Sequence, residues 1–364
     1  MEMMERPGRS FLLIKQSSLG DVIHTLPVVH ALKRCQPRCR IGWVVEQGFA
    51  PLVAADPAVD EVYPIHIPST SSPGAGRTAY VRAGIALFRT MRRLRAAFRA
   101  APYEVVLDLH ASFRSGVLSL MNPGGVRIGF SGARELNPLF QHQLVERGEE
   151  DEHAVEQNLR FCRFLGCTPA AEDFYLAVAS EDAERVKRFL EESGIGRDDP
   201  VVYANPTARW ESKFWPAKRW SELADRLATR GRRVIFGGAP DDLPYIETIT
   251  AGMRTPATVA AGRLRLTESA ALIQRSAVYV GLDTGPMHIA AMAGTPVVAL
   301  FGPTHPERVG PYGVRSRVMQ AEGLPCLRCR KRSCERMDCM RGISVARVES
   351  AVEELSQEVG QSGQ

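Results

Sequence analysis

The sequence predicts an α/β protein made of two doubly wound domains, each a parallel sheet with helices on both faces. Strand-like apolar runs alternate with helix-like stretches along the whole chain, which is the pattern of such sheets. The alternation loosens once, at residues 166–175 (GCTPAAEDFY), and then restarts. The 364 residues, 45% of them hydrophobic, are enough for two cores. We therefore expect domains at 1–172 and 173–345, and a last helix at 346–364 that packs back across the junction.

The first half contains four strand-like runs separated by helix-like stretches. The runs are FLLIK (11–15), IGWVVE (41–46), EVYPIHI (61–67) and YEVVLDLH (103–110). The predicted helices extend from about residue 22 to Cys35, over 78–100 and over 112–121. The segment STSSPGAG (69–76) has a loop composition.

The second half opens with an amphipathic helix, EDAERVKRFLEESGI, and continues with five strand-like runs at βα spacing. These runs are VVYANP (201–206), GRRVIFGG (231–238), TVAAG (258–262), AVYVGLD (277–283) and PVVALFG (296–302).

Composition and charge narrow the class of protein. The net charge of +5 and the charged fraction of 24% are typical of a globular protein and too mild to argue for nucleic-acid binding. The first apolar run, FLLI, is much shorter than a signal-peptide core, and no run approaches the roughly 20 apolar residues that span a bilayer. We expect a cytoplasmic protein with its eight cysteines reduced.

The stretch SSLGDVIHTLP (17–27) joins the first strand to the first helix. A glycine-containing turn before a helix N-terminus can bind an anion, because free backbone N–H groups and the helix dipole point the same way. The GxGxxG dinucleotide fingerprint is absent here. Asp21 is either a helix cap or a chemically active carboxylate, and Ser17 and Ser18 are turn residues or ligand contacts.

The stretch GLDTGPMHIAAMAG (281–294) repeats this arrangement in the second half. Asp283 and Thr284 are suited to cap a helix that begins near Pro286, and His288 would ordinarily be a helix residue with satisfied hydrogen bonds. Lys213, in ESKFWP, is either a surface lysine or a point charge for a phosphate.

Together, SSLGDVIHTLP, the lysine of KFWP and GLDTGPMHIAAMAGTPVVALFGPT resemble the heptosyltransferases of bacterial lipopolysaccharide core synthesis, glycosyltransferase family nine. The resemblance covers about residues 10–355. It implies a GT-B fold, with two Rossmann-like domains and a cleft between them. It also implies an ADP-heptose donor held mainly by the C-terminal domain, an acceptor held by the N-terminal one, inversion at the anomeric carbon and no required metal.

The resemblance also assigns residues. Asp21 matches the general base and Lys213 the lysine that contacts the donor phosphate, so both are predicted to be catalytic. Asp283, Thr284, Gly285 and His288 match the donor-binding motif, and Asp241 matches the acidic contact to the ribose. We also predict that Ser17, Ser18, Gly20 and Thr207 bind the donor. Asp242 is the alternative to Asp241 as the acidic contact to the ribose. For acceptor binding we predict His24, Arg92 and Arg114.

The position of Asp21 creates a chemical tension. A helix N-terminus keeps the carboxylate ionised but makes it a weaker base, and the ordinary pKa of Asp, about 3.9, is already low for this role. We expect partial burial on domain closure to raise the pKa of Asp21, or proton transfer to occur late. His24, one helical turn away, is the rival base.

No acidic residue lies between Glu61 and Glu104, whereas seven arginines do: Arg77, Arg82, Arg89, Arg92, Arg93, Arg95 and Arg99. The run is either a solvated helix face or a docking surface for a phosphorylated or membrane-bound acceptor. The partners that we expect are ADP-heptose, a phosphorylated lipid A–Kdo type acceptor and the cytoplasmic face of the inner membrane, where the protein would be peripheral. We expect no nucleic-acid partner.

Four cysteines, Cys326, Cys329, Cys334 and Cys339, fall within fourteen residues. A structural Zn²⁺ site, an iron–sulfur cluster, reduced thiols and two disulfides are the alternatives. We interpret Cys35, Cys39, Cys162 and Cys167 as buried core or helix residues. A cofactor is not expected for catalysis.

Two other functions remain open. The same fold could use another nucleotide sugar or acceptor. Alternatively, the basic cysteine segment could make the protein a non-catalytic nucleic-acid-binding module. Against the second, no aromatic residue lies between Cys326 and Cys339 to stack on bases.

Overall fold

The computed structural model describes residues 8–68, 77–133 and 135–361 and divides the chain into two compact units, Met1–Phe174 and Tyr175–Gln364. Each unit contains one six-stranded parallel sheet with helices. The predicted loop at 69–76 lies outside the described residues.

The strands of the first unit are β1 Ser10–Ile14, β2 Arg40–Glu46, β3 Glu61–Ile65, β4 Val105–Asp108, β5 Val126–Phe130 and β6 Gln143–Val145. They pair in the order β3-β2-β1-β4-β5-β6, and every pairing is parallel. The chain reverses its direction of winding between β1 and β4, and ligands of such sheets bind outside the carboxyl ends of the strands at this switch point.

The helices of the first unit are α1 Leu19–Ile23, α2 Leu26–Cys35, α3 Ala50–Ala54, α4 Arg77–Ala100, α5 Phe113–Ser119 and α6 Ala154–Phe164. The single helix predicted up to Cys35 is wrong, because the chain divides it into α1 and α2. Pro27 occupies the first turn of α2, where its missing N–H is tolerated, and it disfavours a continuous helix through this point.

The strands of the second unit are β7 Val201–Asn205, β8 Arg233–Phe236, β9 Thr258–Val259, β10 Val278–Leu282, β11 Val297–Leu300 and β12 Ser316–Met319. Their order, β12-β11-β10-β7-β8-β9, is the same doubly wound arrangement, with its switch point between β7 and β10. The prediction of two doubly wound α/β units is therefore confirmed.

The helices of the second unit are α7 Ser180–Glu192, α8 Ala217–Thr229, α9 Leu243–Ala251, α10 Leu266–Arg275, α11 Gly285–Met292, α12 Pro306–Val309, α13 Asp338–Arg341 and α14 Val345–Gln361. Helix α14 packs on α8 and on strands β10, β11 and β12 of its own unit. Glu349 of α14 forms ion pairs with Arg226 of α8, at 3.1 Å, and with Arg230 just after α8, at 2.8 Å. These pairs hold α14 against α8.

The strands at both switch points are buried along their whole length, and most of their side chains are apolar. Such strands read as continuous apolar runs because helices cover both faces of the sheet. Polar chemistry is therefore concentrated in the residues at and just after the strand ends, which determines where the candidate sites lie.

Two cysteine predictions have different outcomes. Cys35, at the end of α2, and Cys167, after α6, form a disulfide, so the expectation of eight reduced thiols is wrong for this pair. The two meet because α2 packs against α6. Cys39 and Cys162 are free and buried, as predicted.

Among the described residues, no helix is both long and apolar enough to cross a bilayer.

Candidate functional site

The switch point of the first sheet is lined by Lys15, which follows β1, and His110, which follows β4. Lys15 is 8% exposed, and its Nζ donates to the Leu109 carbonyl at 2.9 Å. The same Nζ lies 3.5 Å from Oδ1 of Asp21. A buried cation therefore faces the predicted base across the end of the sheet.

Asp21 occupies the first turn of α1. Its Oδ2 accepts hydrogen bonds from Ser18 N at 3.0 Å and Ser18 Oγ at 2.7 Å, so it does cap the helix. Its side chain is nevertheless 45% exposed, which leaves the carboxylate accessible to a ligand. The capping and the chemical interpretations of Asp21 are thus compatible. Ser17 is half-buried and Ser18 is exposed just before α1, and Gly20 is a buried residue of α1.

Burial, Lys15 and Ser18 together set the pKa of Asp21. Burial at the strand ends is the largest influence and raises its pKa. The positive charge of Lys15 and the two hydrogen bonds from Ser18 outweigh burial, so the net pKa is lower than the ordinary Asp value. Asp21 is therefore ionised at neutral pH in this structure, and the rise expected on domain closure stays a prediction.

His110 is the neutral partner at this site. Burial, reinforced by the charge of Lys15, lowers the pKa of His110 to about 4, against the opposing effect of Asp21. Arg114 also lowers it, and the backbone of Ser17 is hydrogen-bonded to the ring. Of the predicted acceptor residues, Arg114 therefore lies near His110, with a half-buried side chain at the start of α5.

Asp108, the last residue of β4, holds this loop in place. It is fully buried and accepts hydrogen bonds from Ser115 Oγ at 2.9 Å and Asn137 Nδ2 at 2.7 Å. It also accepts from the backbone N–H of His110 and of Ala111, both at 3.1 Å. Burial is the largest influence on its pKa and raises it, although these bonds oppose the rise. The loop that carries His110 and Arg114 is therefore fixed by a buried carboxyl group.

The two other predicted acceptor residues lie in different surroundings. His24 is 5% exposed, and its ring meets the ring of His153 edge to face at 5.4 Å. Arg92 is exposed on α4. The accessibility of Asp21 and the burial of His24 favour Asp21 as the base.

The second sheet carries a pair of opposite charges at its own switch point. Nζ of Lys213 lies 2.7 Å from Oδ2 of Asp283 and donates to the Asp283 carbonyl at 2.8 Å. The two side chains are only 14% and 8% exposed. The structure thus brings two predicted residues together, although they are 70 positions apart in sequence.

Helix α11 begins directly after this pair. Thr284 is its N-cap, Gly285 is its first residue and a proline follows in the first turn. The N-terminus of an eight-residue helix next to a lysine suits a phosphate group. His288 is buried within α11, and Thr207 is buried after β7, where its carbonyl accepts from Asn205 Nδ2 at 2.9 Å.

The two acidic residues after β8, Asp241 and Asp242, lie in different surroundings. Asp242 Oδ2 accepts from the backbone N–H of Ala239 at 2.7 Å and caps the short 3-10 helix Pro240–Asp242. Asp241 is exposed at the same strand end. Of the two, Asp241 is the carboxylate available to a ligand.

The sequence model described as glycosyltransferase family 9 (heptosyltransferase) matches residues 91–340 of this chain. The chain belongs to glycosyltransferase family 9. It is 31% identical over 292 residues to lipopolysaccharide heptosyltransferase 3 of Escherichia coli K12, covering 78% of this chain and 80% of that protein. The alternative of a non-catalytic nucleic-acid-binding module is therefore wrong, because the chain is a glycosyltransferase.

Solved structures of this family share the fold. A family 9 glycosyltransferase from Veillonella parvula superimposes with a TM-score of 0.81 at 24% identity, covering 97% of this chain and 98% of that one. The E. coli heptosyltransferase WaaC with ADP-2-deoxy-2-fluoro heptose gives a TM-score of 0.70 at 25% identity, covering 95% and 99%. The predicted GT-B fold class is confirmed for this family 9 member.

The cysteine segment does not fit the predicted metal site. Cys326, Cys329 and Cys334 are exposed, whereas Cys339 is buried in the core against Gly302. Burial, and then the charges of Cys329, Cys326 and Cys334, raise the pKa of the Cys339 thiol. No group of three or more His, Cys, Asp or Glu side chains is arranged to hold a metal ion anywhere in the part of the chain that the structure describes.

Two basic residues of the cysteine segment, Lys331 and Arg332, lie beside the residues around Lys213. Ser212 Oγ donates to the Lys331 carbonyl at 2.6 Å. Two cations lie over the Trp210 ring, Lys213 Nζ at 4.7 Å and the Arg332 guanidinium at 5.5 Å from its centroid. These contacts place a second positive charge near the lysine at the β7 end of the sheet.

Sequence reasoning missed Lys15, His110, Asp108, Trp210 and Thr304. The first three follow or end the two strands at the first switch point, so an alignment of strand ends could have found them. Thr304, after β11, is 8% exposed, and its Oγ1 has no hydrogen-bond partner among the described residues. No pattern in the sequence predicts that the Thr304 hydroxyl lacks a hydrogen-bond partner.

Proposed function

We propose that this family 9 glycosyltransferase transfers a heptose from ADP-heptose to the inner core of lipopolysaccharide, onto a Kdo or heptose hydroxyl. The acceptor is a phosphorylated lipid A–Kdo type molecule at the cytoplasmic face of the inner membrane, so the protein works in the cytoplasm. The observation that carries the proposal is the accessible, ionised Asp21 held by Lys15 and Ser18 at the first switch point.

The second unit binds the donor in this proposal. Lys213 and the N-terminus of α11 neutralise the diphosphate, which makes ADP a good leaving group without a divalent ion. Asp283 holds the lysine in position through the 2.7 Å pair. Asp241 accepts from the ribose hydroxyls, and Thr207, Thr284, Gly285 and His288 line the rest of the donor site. WaaC, with its ADP-heptose analogue, supports this choice of donor.

The first unit supplies the base. Asp21 takes the proton of the acceptor hydroxyl while that oxygen forms a bond to the anomeric carbon. The bond from this carbon to the diphosphate oxygen breaks, ADP leaves, and the configuration inverts because attack comes from the opposite face. Because its pKa is lowered, Asp21 accepts the proton late, when the hydroxyl has become strongly acidic. Ser17, Ser18 and Gly20 bring the loop backbone close to the donor sugar, and Arg114 contacts the acceptor.

The test is product analysis with purified protein and a delipidated inner-core acceptor. ADP-heptose, ADP-glucose and UDP-glucose are compared as donors, with and without a chelator. We expect acceptor-dependent ADP release from ADP-heptose, unchanged by the chelator, and an α-to-β or β-to-α change of anomeric configuration in the NMR spectrum of the product. Preference for another nucleotide sugar would refute the donor, chelator-sensitive transfer would refute metal independence, and a retained configuration would refute inversion.

A further inference from the structure

Helix α4 has two opposite apolar faces, and only one of them is packed. Its inner face contributes Leu94 and Phe98, 1% and 0% exposed, to the core of the first unit. Val81, Ile85 and Phe88 lie on the other side and are 61%, 49% and 60% exposed. Their spacing of four and three residues places them in one row along the helix. The row is too regular to be a set of scattered surface residues.

The same row continues as a line of arginines. Arg92, Arg95 and Arg99 follow Phe88 at spacings of four, three and four, and all three are exposed. The sequence has no Asp or Glu from residue 62 to residue 103. Within the described part of the chain, no acidic side chain pairs with these three arginines. We call the six residues from Val81 to Arg99 in this row the outer row of α4.

An exposed apolar row joined to a basic row is the pattern of a helix that lies in a membrane interface. The apolar side chains enter the boundary between headgroups and acyl chains, and the arginines bind the phosphates of anionic lipids. A second copy of the chain would bring its own outer row, which offers no acidic side chain in return. The charge of the row therefore favours an anionic bilayer.

We propose that the outer row of α4 docks the protein on a membrane surface that contains anionic lipids. Val81, Ile85 and Phe88 insert, while Arg92, Arg95 and Arg99 hold the phosphates. This docking rests on the membrane location in the proposed function, but vesicle binding tests it apart from the transfer of the sugar.

The test is co-sedimentation of the full chain with vesicles of phosphatidylcholine alone or with a minority of phosphatidylglycerol. We expect binding to the anionic vesicles, weakened by salt. Ile85→Ser with Phe88→Ser should lower the partition coefficient at least about tenfold. Arg95→Gln with Arg99→Gln should lower it about 25-fold on anionic vesicles, since each charge contributes roughly fivefold.

Two matched double variants serve as controls. Leu136→Ser with Leu139→Ser removes two exposed leucines of the same unit, 65% and 79% exposed. Lys187→Gln with Arg188→Gln removes two exposed cations from α7. Both controls should bind vesicles like the wild type, and all four variants should keep their circular dichroism. The α4 variants should keep their activity on a delipidated acceptor.

Three outcomes would overturn the proposal. They are a wild type that does not bind anionic vesicles, a control variant that loses as much binding as its α4 counterpart, and a change from dimer to monomer in Ile85→Ser with Phe88→Ser. The last result would show that a second copy covers the row.

Discussion

Replacing Lys15 by Met should make Asp21 easier to protonate and move the acid limb of the activity profile to higher pH. Lys15 Nζ lies 3.5 Å from Asp21 Oδ1, and its charge is the strongest of the influences that lower the pKa of that carboxyl group. Methionine keeps the length and much of the volume of lysine but removes the charge.

The size of the effect follows from the geometry. Coulomb's law at this separation, with an effective dielectric constant of about 20, gives about 5 kcal/mol. Because the Asp21 side chain is 45% exposed, solvent screening reduces this to about 1–2 kcal/mol. The proton affinity of Asp21 should therefore rise about tenfold or somewhat more, since about 1.4 kcal/mol corresponds to a factor of ten.

The assay measures kcat/KM from acceptor-dependent ADP release across the acidic range, because this ratio reports the ionisation of the free enzyme. Lys33→Met is a matched control, since Lys33 Nζ binds the carboxylate of Asp60 and the carbonyl of Cys39, both at 2.7 Å. We expect the limb to move in Lys15→Met and to stay in place in Lys33→Met. An unmoved limb in Lys15→Met, or one that moves to lower pH, would refute this role of Lys15.

Three further predictions concern stability and the donor site. Lys213→Met should destabilise the protein by about 3 kcal/mol in urea unfolding, because it leaves Asp283 buried without its partner, and adding Asp283→Asn should recover most of the loss. His110 has a pKa of about 4, below its value in the unfolded chain, so its contribution to stability is present above about pH 6.5 and is lost as the pH falls. Between about pH 7 and pH 5 the wild type should therefore lose about 1–2 kcal/mol more than His110→Gln, and equal losses would contradict this assignment. Thr304→Val should stabilise the protein by about 1 kcal/mol by removing an unsatisfied hydroxyl, whereas Thr295→Val should destabilise it, because Thr295 Oγ1 donates to the Ile273 carbonyl at 2.9 Å.

Much of the fold could be predicted because the central strands are continuous apolar runs. All nine predicted strands are present, and the order of each sheet follows from the doubly wound rule. The missed strands are β5, β6 and β12. The three residues of β6 and the four of β12 include one buried residue each, so they carry little apolar signal.

The candidate site was predictable only where a motif marks it. Asp21, Lys213 and Asp283 stand in motifs and could be found, but the pairing of Lys15 with Asp21 depends on where a strand end meets a helix. Asp108 and His110 reach this site because β4 pairs with β1. The hydrogen bond from Lys15 to Leu109 at this point joins residues that are 94 positions apart in the sequence. The disulfide joins residues 132 positions apart and has no local sequence signal.

The central claim is that Asp21 is the base of the transfer, and the variant Asp21→Asn tests it most directly. The amide keeps the shape of the carboxylate and can still accept from Ser18, but it cannot take the acceptor proton. With ADP-heptose and a delipidated inner-core acceptor, we predict acceptor-dependent ADP release that is at least about 100-fold slower in kcat, with KM for ADP-heptose nearly unchanged. A kcat within a few-fold of the wild type would contradict the account and assign the proton to another group.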